Sequence, residues 1–284
     1  MSLRVIDPGP LSLLEDLGRP GLVDLGVGAA GAFDRAALRE ANSLVGNRED
    51  AAIVEALGGG LAVIAVESHV VAVTGAAGPV TVDGRAVTSG RAIALRRGEI
   101  LRLGTPVVGL RWTLAVAGGF DVEEVLGSRS YDTMAALGPT PLERDRVLPV
   151  GRPAGPVSTR TYPPLVTSGG VEVRVVLGPR DDWFTPEAVA ALLSTPWTVD
   201  PVSDRIGVRL DGPALARSRS GELPSEPVVR GSIQVTTSGR PVVLGPDHPV
   251  TGGYPVIGVV VDADTDRLAQ VRPGDVVRFR RHRP

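Results

Sequence analysis

The chain has 284 residues, 43% of them hydrophobic, and a formal net charge of −2, so bulk electrostatics predict no binding to nucleic acid or to a membrane surface. It contains no cysteine and no lysine, which excludes disulfides, a cysteine nucleophile, a Walker A lysine and a lysine that carries biotin. No apolar run approaches the ~18 residues of a membrane-spanning helix and no signal peptide is recognisable, so we expect a soluble, cytoplasmic protein.

The composition, with 36 glycines and 25 prolines, predicts a mainly β protein with many turns. Short Val-rich runs separated by Gly and Pro dominate the first half of the chain. Asp83-Gly84 is a strong signal for a hairpin turn. We predict strands in this half at Leu3–Ile6, Leu11–Leu14, Leu61–Val66, Val70–Thr74, Val80–Val82, Ala92–Leu95, Ile100–Leu103 and Leu110–Ala117.

The clearest helix of the first half begins after Asp34. Asp34 is a good N-cap, and Phe33 and Leu38 have the spacing of a hydrophobic staple. Gly46 and Asn47 are expected to end the helix. A capping role alone explains Asp34, whereas a functional role requires the preceding Gly-rich loop to face a ligand.

Prolines accumulate between Gly138 and Pro164, where the strand pattern fades, and this indicates a domain boundary. We therefore predict one β domain over residues 1–165 and a second over residues 166–284. A second helix is marked by Thr185 as N-cap and Pro186 as its first residue. Strands in this half are predicted at Val171–Leu177, Trp197–Val199, Ile206–Leu210, Val228–Val235, Pro241–Leu244, Val256–Val261 and Val276–Phe279.

The two halves share a sequence signature. Each has a turn glycine, an acid, two apolar residues, an arginine and an apolar residue, in Gly98–Leu103 and in Gly274–Phe279. A Gly-Arg hairpin signal precedes each copy, at Gly84-Arg85 and Gly239-Arg240. The repetition favours two related β domains in tandem, although Gly-acid-apolar turns are common in β proteins.

The stretch Asp247–Pro255 lies between two predicted strands and is rich in Pro and Gly, so it is expected to form a shaped loop. Gly252 and Gly253 can take positive φ and let a ligand approach closely. Loops held on a rigid sheet often carry binding sites, but a plain hairpin connection explains the local sequence equally well.

For the other polar residues, the sequence leaves both a site role and a structural role open. Arg129 lies between two hydroxyls, Ser128 and Ser130, and this context fits either a carboxylate or phosphate site or a surface turn. Gln234 lies inside a predicted strand, where it can bind a substrate amide or carboxylate, or face water. The three histidines have no metal-ligand spacing, so no metal site is predicted.

Ordered motifs run along nearly the whole chain. They are Gly26–Asp34, Ala41–Asn47, Glu55, Gly118–Val122, Leu126–Ser130, Gly231–Gln234, Asp247–Pro255, Leu268–Gln270 and Pro273–Asp275. In this order the motifs resemble the allophanate hydrolase subunit 2 family. This family includes the third subunit of prokaryotic 5-oxoprolinase, the KipA proteins and the carboxyltransferase domain of urea carboxylase.

The resemblance implies two tandem cyclophilin-like β-barrel domains with a few short helices. It also implies a subunit of an ATP-dependent 5-oxoprolinase that opens 5-oxoproline to glutamate. The implied partners are a KipI-like subunit 1 protein and a LamB/YcsF-like component, and ATP with Mg would be a co-substrate of the complex. Two alternatives follow from the same family: a biotin-dependent carboxyltransferase component, with biotin carried by another chain, and a KipA-like non-catalytic regulator that binds KipI.

Ring opening of a lactam needs carbonyl activation and charge stabilisation, and this need guides the choice of site residues. The hypothesis assigns catalytic roles to Asp34, Arg129, Arg205, Gln234 and Asp247, with Arg129 and Arg205 binding anionic groups. It assigns substrate binding to Ser128, Thr251, Gly252, Gly253, Tyr254 and Gln270. The chain departs from the family pattern at Ala29, Ala30, Phe33, Tyr131, Gly138–Pro141 and His248–Val250, and these departures cluster at the site loops.

Overall fold

The computed structural model describes residues 1–164, 168–221 and 223–283 of the chain. By Cα proximity the chain divides into two compact units. The first comprises Met1–Arg19, Ala30–Asp132 and Ala136–Val166, and the second comprises Pro20–Ala29, Thr133–Ala135 and Thr167–Pro284. The domain boundary predicted between residues 165 and 166 lies outside the described residues.

The described residues of the first unit form eleven strands and one α-helix. The strands are β1 (Ser2–Pro8), β2 (Leu11–Glu15), β3 (Ile53–Leu57), β4 (Leu61–Ala65), β5 (His69–Ala77), β6 (Val80–Val82), β7 (Arg85–Ala86), β8 (Ala92–Leu95), β9 (Ile100–Leu103), β10 (Val108–Val116) and β11 (Val147–Pro149). They form a six-stranded sheet in the order β11-β1-β4-β9-β6-β7 and a five-stranded sheet in the order β2-β3-β10-β5-β8.

One hydrophobic core lies between these two sheets. Alternate residues of both sheets point into it, as the period of two along a strand requires. Trp112 from the five-stranded sheet and Leu3 from the six-stranded sheet are fully buried members of the same cluster. The predicted hairpin at Asp83-Gly84 is confirmed: φ is 49° at Asp83 and 77° at Gly84, and β6 pairs with β7 across it.

Helix α1 (Arg35–Leu44) confirms the first predicted helix and both of its ends. The Asp34 carboxylate accepts a hydrogen bond from the Ala37 backbone N–H at 2.9 Å, as an N-cap does. The helix packs on β5 and β10 through a cluster that includes Leu38, Ala41 and Leu44. These residues recur at helical spacing, so a single apolar face explains the position of α1.

The second unit is centred on a closed barrel of seven strands in the order β12-β19-β16-β17-β14-β13-β20. Its strands are β12 (Gly170–Leu177), β13 (Trp197–Val199), β14 (Gly207–Asp211), β15 (Glu226–Pro227), β16 (Ser232–Val235), β17 (Pro241–Leu244), β18 (Thr251–Gly252), β19 (Val256–Val260) and β20 (Val276–Arg281). β15 and β18 pair separately, outside the barrel. The mainly β prediction is therefore confirmed.

Two further helices belong to this unit. Helix α2 (Pro186–Ser194) confirms the second predicted helix, and the Thr185 hydroxyl accepts a hydrogen bond from the Ala188 N–H at 3.1 Å. Helix α3 (Asp262–Leu268) was not predicted from the sequence. The predicted strand Val228–Val235 was too long, because only Ser232–Val235 pairs in the barrel.

The repeated signature forms the same turn in both units. Gly98 and Gly274 have φ of 85° and 88°. In each turn the acid that follows the glycine accepts a hydrogen bond from a backbone N–H three residues earlier: Glu99 from Arg96 at 2.7 Å, and Asp275 from Arg272 at 2.9 Å. The common geometry supports the tandem interpretation of the sequence.

No helix within the described residues is long and apolar enough to cross a membrane.

Candidate functional site

In the first unit, Asp16 fixes the turn that carries two predicted site residues, Ser128 and Arg129. Its Oδ1 accepts hydrogen bonds from the hydroxyls of Ser128 and Ser130, both at 2.6 Å, and its Oδ2 accepts one from the Arg129 N–H at 2.7 Å. Charge-assisted bonds of this kind are strong when they are buried. Ser128 is itself fully buried, so a direct contact with a substrate would require the turn to move.

The Arg129 side chain lines a surface groove of about 460 Å³. Its Nε donates to the Val122 carbonyl at 2.8 Å, and its Nη1 and Nη2 donate to Glu124 at 2.6 Å and to Asp121 at 3.2 Å. The guanidinium is thus held rigidly at the groove wall by acids, which reduces its attraction for an anion. The groove is otherwise lined by Asp16, Leu17, Gly18, Asn47, Arg48, Asp50, Ala51, Gly118, Glu124, Gly127 and Ala154.

Arg19 is a buried cation that sequence reasoning did not single out. Its Nε donates to the Val125 carbonyl at 3.3 Å and its Nη2 donates to the Ser130 carbonyl. Its buried Nη1 has no hydrogen-bond partner among the described residues. Arg19 therefore supports the Val125–Ser130 turn from within, alongside Asp16.

Asp34, predicted as a catalytic residue, caps α1 and does not belong to the residues that line the groove. Its charge still has an electrostatic consequence for Glu40, on the same helix. Burial, together with the negative charge of Asp34, raises the pKa of Glu40 to about 7. Glu40 is thus the acid near Asp34 that can exchange a proton near neutral pH.

A buried polar cluster lies before α1, at the family motif that ends in Phe33-Asp34. Glu55 accepts a hydrogen bond from the Phe33 N–H at 2.7 Å and pairs with Arg111 at 3.5 Å. The Arg111 guanidinium stacks 4.6 Å from the centroid of the Phe33 ring. Phe33, one of the departures from the family pattern, therefore has a packing role.

In the second unit, Arg205 and Asp247 form one bidentate ion pair. Nε donates to Oδ2 at 2.8 Å and Nη2 donates to Oδ1 at 2.9 Å, and both side chains are almost completely buried. The Thr133 N–H and hydroxyl also donate to Oδ2, at 3.0 and 2.7 Å. Four donors on a fully buried carboxylate favour a positioning role, and the catalytic roles of Arg205 and Asp247 stay predictions.

Gln234 lies next to the predicted substrate loop. The register of β16 against β19 shifts between Ile233 and Gln234, and such a bulge redirects a side chain. The Gln234 Nε2 donates one long hydrogen bond, 3.4 Å, to the Tyr254 carbonyl. Within the described residues this is the only hydrogen bond of the Gln234 side chain, so its amide oxygen is open to a ligand.

The two loop glycines differ in what they permit. A Cβ at Gly252 would clash with the Gln234 amide nitrogen, whereas the nearest atom to a Cβ at Gly253 would be the Leu223 carbonyl oxygen at 3.8 Å. Neither glycine adopts the positive φ that glycine permits, but the Gln234 side chain approaches the Gly252 backbone closely. A side chain at Gly252 would have to displace the end of the Gln234 side chain, which packs directly against the Gly252 backbone.

Arg180 and Glu226 adjoin this loop and were missed in the sequence. Glu226 pairs with Gly252 in the β15–β18 register, and the Arg180 side chain donates to the Glu226 carboxylate through both Nε and Nη2. These hydrogen bonds from Arg180 lower the pKa of Glu226. Thr251 and Tyr254 are both exposed in the loop. The partly exposed Arg180 and the Gln234 amide therefore both adjoin the exposed loop of Thr251 and Tyr254.

The remaining predicted residue, Gln270, is buried just after α3, where its N–H donates to the Arg267 carbonyl at 3.2 Å. Within the described residues no group of three or more His, Cys, Asp or Glu side chains is arranged to hold a metal ion.

Residues 25–281 match the family described as carboxyltransferase domain, subdomain A and B. The chain belongs to this family. The resemblance identified from the ordered motifs is therefore confirmed. The matched residues include the whole Gln234 loop and all of the groove residues except Asp16, Leu17 and Gly18.

Relatives of this carboxyltransferase-domain chain include two bacterial 5-oxoprolinase subunits. It is 35% identical to the one from Escherichia coli over 98% of this chain and 90% of that protein. It is 32% identical to the one from Haemophilus influenzae, with the same coverage. It is also 30% identical to urea amidolyase of Lachancea kluyveri, but this match covers 17% of that protein.

Solved structures share the fold of this carboxyltransferase-domain chain. The structure of TTHA0988 superposes with a TM-score of 0.89 at 36% identity, over 98% of this chain and 55% of that chain. Urea amidolyase of K. lactis superposes with a TM-score of 0.91 at 29% identity, over 98% of this chain and 18% of that chain. In both structures the matched region is part of a longer polypeptide.

Proposed function

We propose that this chain is a subunit of a heteromeric, ATP-dependent 5-oxoprolinase that converts 5-oxoproline to glutamate. The observation that carries the proposal is the match to two bacterial 5-oxoprolinase subunits, which extends over 98% of this chain and 90% of each relative. The partners would be a KipI-like subunit 1 protein and a LamB/YcsF-like component. ATP with Mg would serve the complex as a co-substrate that activates the lactam carbonyl.

The Gln234 amide matches the reacting group of the proposed substrate. A five-membered lactam holds its N–H and C=O on the same edge, and a carboxamide can pair with that edge through one donor and one acceptor. Gln234 is buried, and its single hydrogen bond within the described residues is long. A buried amide that pairs fully only with the correct substrate gives strong discrimination. Gln234 would therefore orient the lactam.

The Arg180 guanidinium can offer its Nη1 to the substrate carboxylate, because its hydrogen bonds to Glu226 are made by Nε and Nη2. Arg180 is held next to the loop by its N–H, which donates to the Val256 carbonyl at 2.9 Å, and its side chain remains partly exposed. An arginine with open donors binds a carboxylate well. In this proposal Arg180 takes the role of anion binding that the sequence hypothesis gave to Arg205, while Arg205 and Asp247 position the surrounding backbone.

The test is reconstitution of the whole complex. The purified chain is mixed with its subunit 1 and LamB/YcsF-like proteins, and glutamate release from 5-oxoproline is followed with and without ATP. We expect turnover that requires all three proteins and ATP. Absence of turnover from the complete mixture would refute the proposal.

Two variants test the role of the loop within the active complex. Gln234→Met keeps the approximate volume but removes the amide, and should raise KM at least tenfold; Gln234→Asn should retain part of the binding. An unchanged KM of the Gln234→Met complex would contradict a specific role of Gln234.

A carboxyltransferase function is the second candidate, because urea carboxylase of K. lactis superposes with a TM-score of 0.91 over 98% of this chain. This chain has no lysine, so biotin would be carried by another protein. Activity that depends on biotin and bicarbonate, without ATP-dependent glutamate release, would favour this candidate. A tight complex with neither activity would favour a KipA-like regulator.

A further inference from the structure

A cavity of about 360 Å³ lies in the second unit, between the turn that joins β16 to β17 and the segment Ala214–Arg217. The segment is tied to the hairpin at two points. The Leu215 N–H donates to the Gly239 carbonyl at 3.0 Å, and the Arg217 Nη2 donates to the Val235 carbonyl at 2.9 Å. Both walls of the cavity are therefore held in place by hydrogen bonds.

The turn itself, Thr236–Gly239, has a fixed shape. The Gly239 N–H donates to the Thr236 carbonyl and the Thr236 N–H donates to the Arg240 carbonyl, both at 3.0 Å. Gly239 has a φ of 77°, and a Cβ at this residue would lie 2.8 Å from the Ala214 Cβ. Glycine thus allows both the left-handed conformation and the close approach of the opposite wall.

The tip of the turn offers open hydrogen-bond donors to the cavity. In the described part of the chain, the N–H groups of Thr237 and Ser238 and the Thr237 hydroxyl form no hydrogen bond. Both residues are exposed, and both line the cavity. Successive N–H groups that are open at a turn form a concave site with partial positive charge, which favours an anion.

Arg217 adds a full positive charge to the same cavity. Among the described residues its side chain forms the single hydrogen bond to Val235 and no ion pair, so Nε and Nη1 are open. The arginines that line two other cavities each have an acidic partner: Arg48 with Asp50, Arg129 with Glu124 and Arg230 with Asp266. No acid is among the described residues that line the Arg217 cavity, so its charge is not neutralised there.

We propose that this cavity binds a phosphoryl group, with Arg217 as the charged donor and the Thr237-Ser238 turn as the neutral donors. A phosphoryl group presents three acceptor oxygens. These match a guanidinium, a hydroxyl and turn N–H groups better than the two oxygens of a carboxylate do. Inorganic phosphate and a nucleotide share this chemistry. The site is formed by the second unit alone and does not depend on the proposed 5-oxoprolinase function.

The experiment measures the binding of inorganic phosphate, ATP and acetate to the full-length chain by titration calorimetry at constant ionic strength. Arg217→Met removes the guanidinium. Arg219→Met is the matched control, because it removes the same charge from a neighbouring residue that pairs with Asp182 and does not line the cavity. We expect Arg217→Met to weaken phosphate binding about tenfold or more and Arg219→Met to change it less than about twofold. Thermal unfolding checks that each variant is folded, and Arg217→Lys should recover part of the affinity.

Thr237→Pro tests the donors of the turn without changing the charge. Proline is favoured at the second position of a β-turn, and it removes both the N–H and the hydroxyl of Thr237. We expect this variant to remain folded and to bind phosphate about threefold more weakly or worse. Wild-type affinity in both Arg217→Met and Thr237→Pro would overturn the proposal.

The choice of anion gives the remaining outcomes. Acetate binding as tight as that of phosphate would overturn the assignment to a phosphoryl group, as would an equal loss in Arg217→Met and Arg219→Met. No saturable binding of phosphate or ATP below about 10 mM would also overturn it. Binding of ATP that depends on Arg217 and is about tenfold tighter than that of phosphate would support a nucleotide as the source of the group, whereas equal affinities would support phosphate itself.

Discussion

The Arg205–Asp247 pair gives the sharpest prediction, because the chain contains an exposed pair of the same geometry. Arg205 donates to Asp247 at 2.8 and 2.9 Å, and Arg48 donates to Asp50 at 3.0 and 2.7 Å, both through Nε and Nη2. The side chains of the first pair are 4% and 0% exposed, and those of the second are 81% and 46% exposed. The pairs differ in burial and in the two further hydrogen bonds that Asp247 accepts from Thr133.

Asp247→Asn should destabilise the second unit by about 3–5 kcal/mol, the cost of leaving one member of a buried ion pair uncompensated. An asparagine also places an amide donor opposite groups that already donate. Asp50→Asn should change stability by less than about 1 kcal/mol, because water solvates Arg48 when the carboxylate is lost. For a unit of this size, the first change corresponds to a fall in Tm of roughly 6–20 °C.

The assay is urea unfolding of both variants, followed by far-UV circular dichroism and by tryptophan fluorescence. Trp197 is fully buried in the barrel and Trp112 in the first unit, so both variants are made in a Trp112→Phe background, in which the fluorescence reports on the second unit. A loss of less than about 1 kcal/mol in Asp247→Asn would refute the reasoning. Full stability together with lost turnover would restore Asp247 to the catalytic role that the sequence hypothesis gave it.

Two other predictions concern the loop and the titration of one acid. Gly252→Ala should lower turnover of the reconstituted complex at least tenfold with little change in Tm, because the new methyl group displaces the Gln234 amide. Gly253→Ala should behave as wild type, since a Cβ there makes only an ordinary van der Waals contact, at 3.8 Å, with the Leu223 carbonyl oxygen. Equal losses in the two alanine variants would contradict this view of the loop. Glu40→Gln should stabilise the protein by about 1–2 kcal/mol at pH 8 and by little at pH 5, as measured by urea unfolding at each pH. The sign follows from the raised pKa of Glu40, because between pH 4.5 and about 7 the folded state binds more protons than the unfolded state. The free energy of unfolding therefore falls as pH rises through this range. Above about pH 7 the full cost of burying the ionised Glu40 carboxylate is present. The magnitude is reduced from that of the full pKa shift because Glu40 is partly solvated, and a stabilisation that did not depend on pH would contradict the assignment.

Several elements could be predicted from the sequence because helix caps and turns are signalled by neighbouring residues. Asp34 and Thr185 cap α1 and α2 as predicted, and the Asp83-Gly84 hairpin has the expected positive φ at both residues. Each of these signals acts within about four residues, where chain geometry leaves few alternatives. Helix α3 has no such local signal, since no side chain caps its first turn. Its Asp264 is instead bonded to Arg174, which is distant in the sequence, so the sequence did not predict this helix.

The candidate sites depend on longer-range pairing. The sequence named Gln234, Gly252 and Tyr254 as neighbours in function, but the bulge that directs the Gln234 amide toward the loop exists only once β16 pairs with β19. Arg180 and Glu226 were missed because nothing near either residue marks it as a partner of that loop. Strand register decides which side chains meet, and register is a property of the folded sheet.

The sequence by itself determined the family, the mainly β class, the capped helices and the repeated glycine-acid turn. Only the tertiary structure decided that Asp16 holds the Ser128–Ser130 turn and that Arg205 is neutralised by Asp247. Caps and turns form between neighbouring residues, so the local sequence specifies them. Buried ion pairs join residues that are far apart in the chain, and their existence depends on the path of the backbone between them.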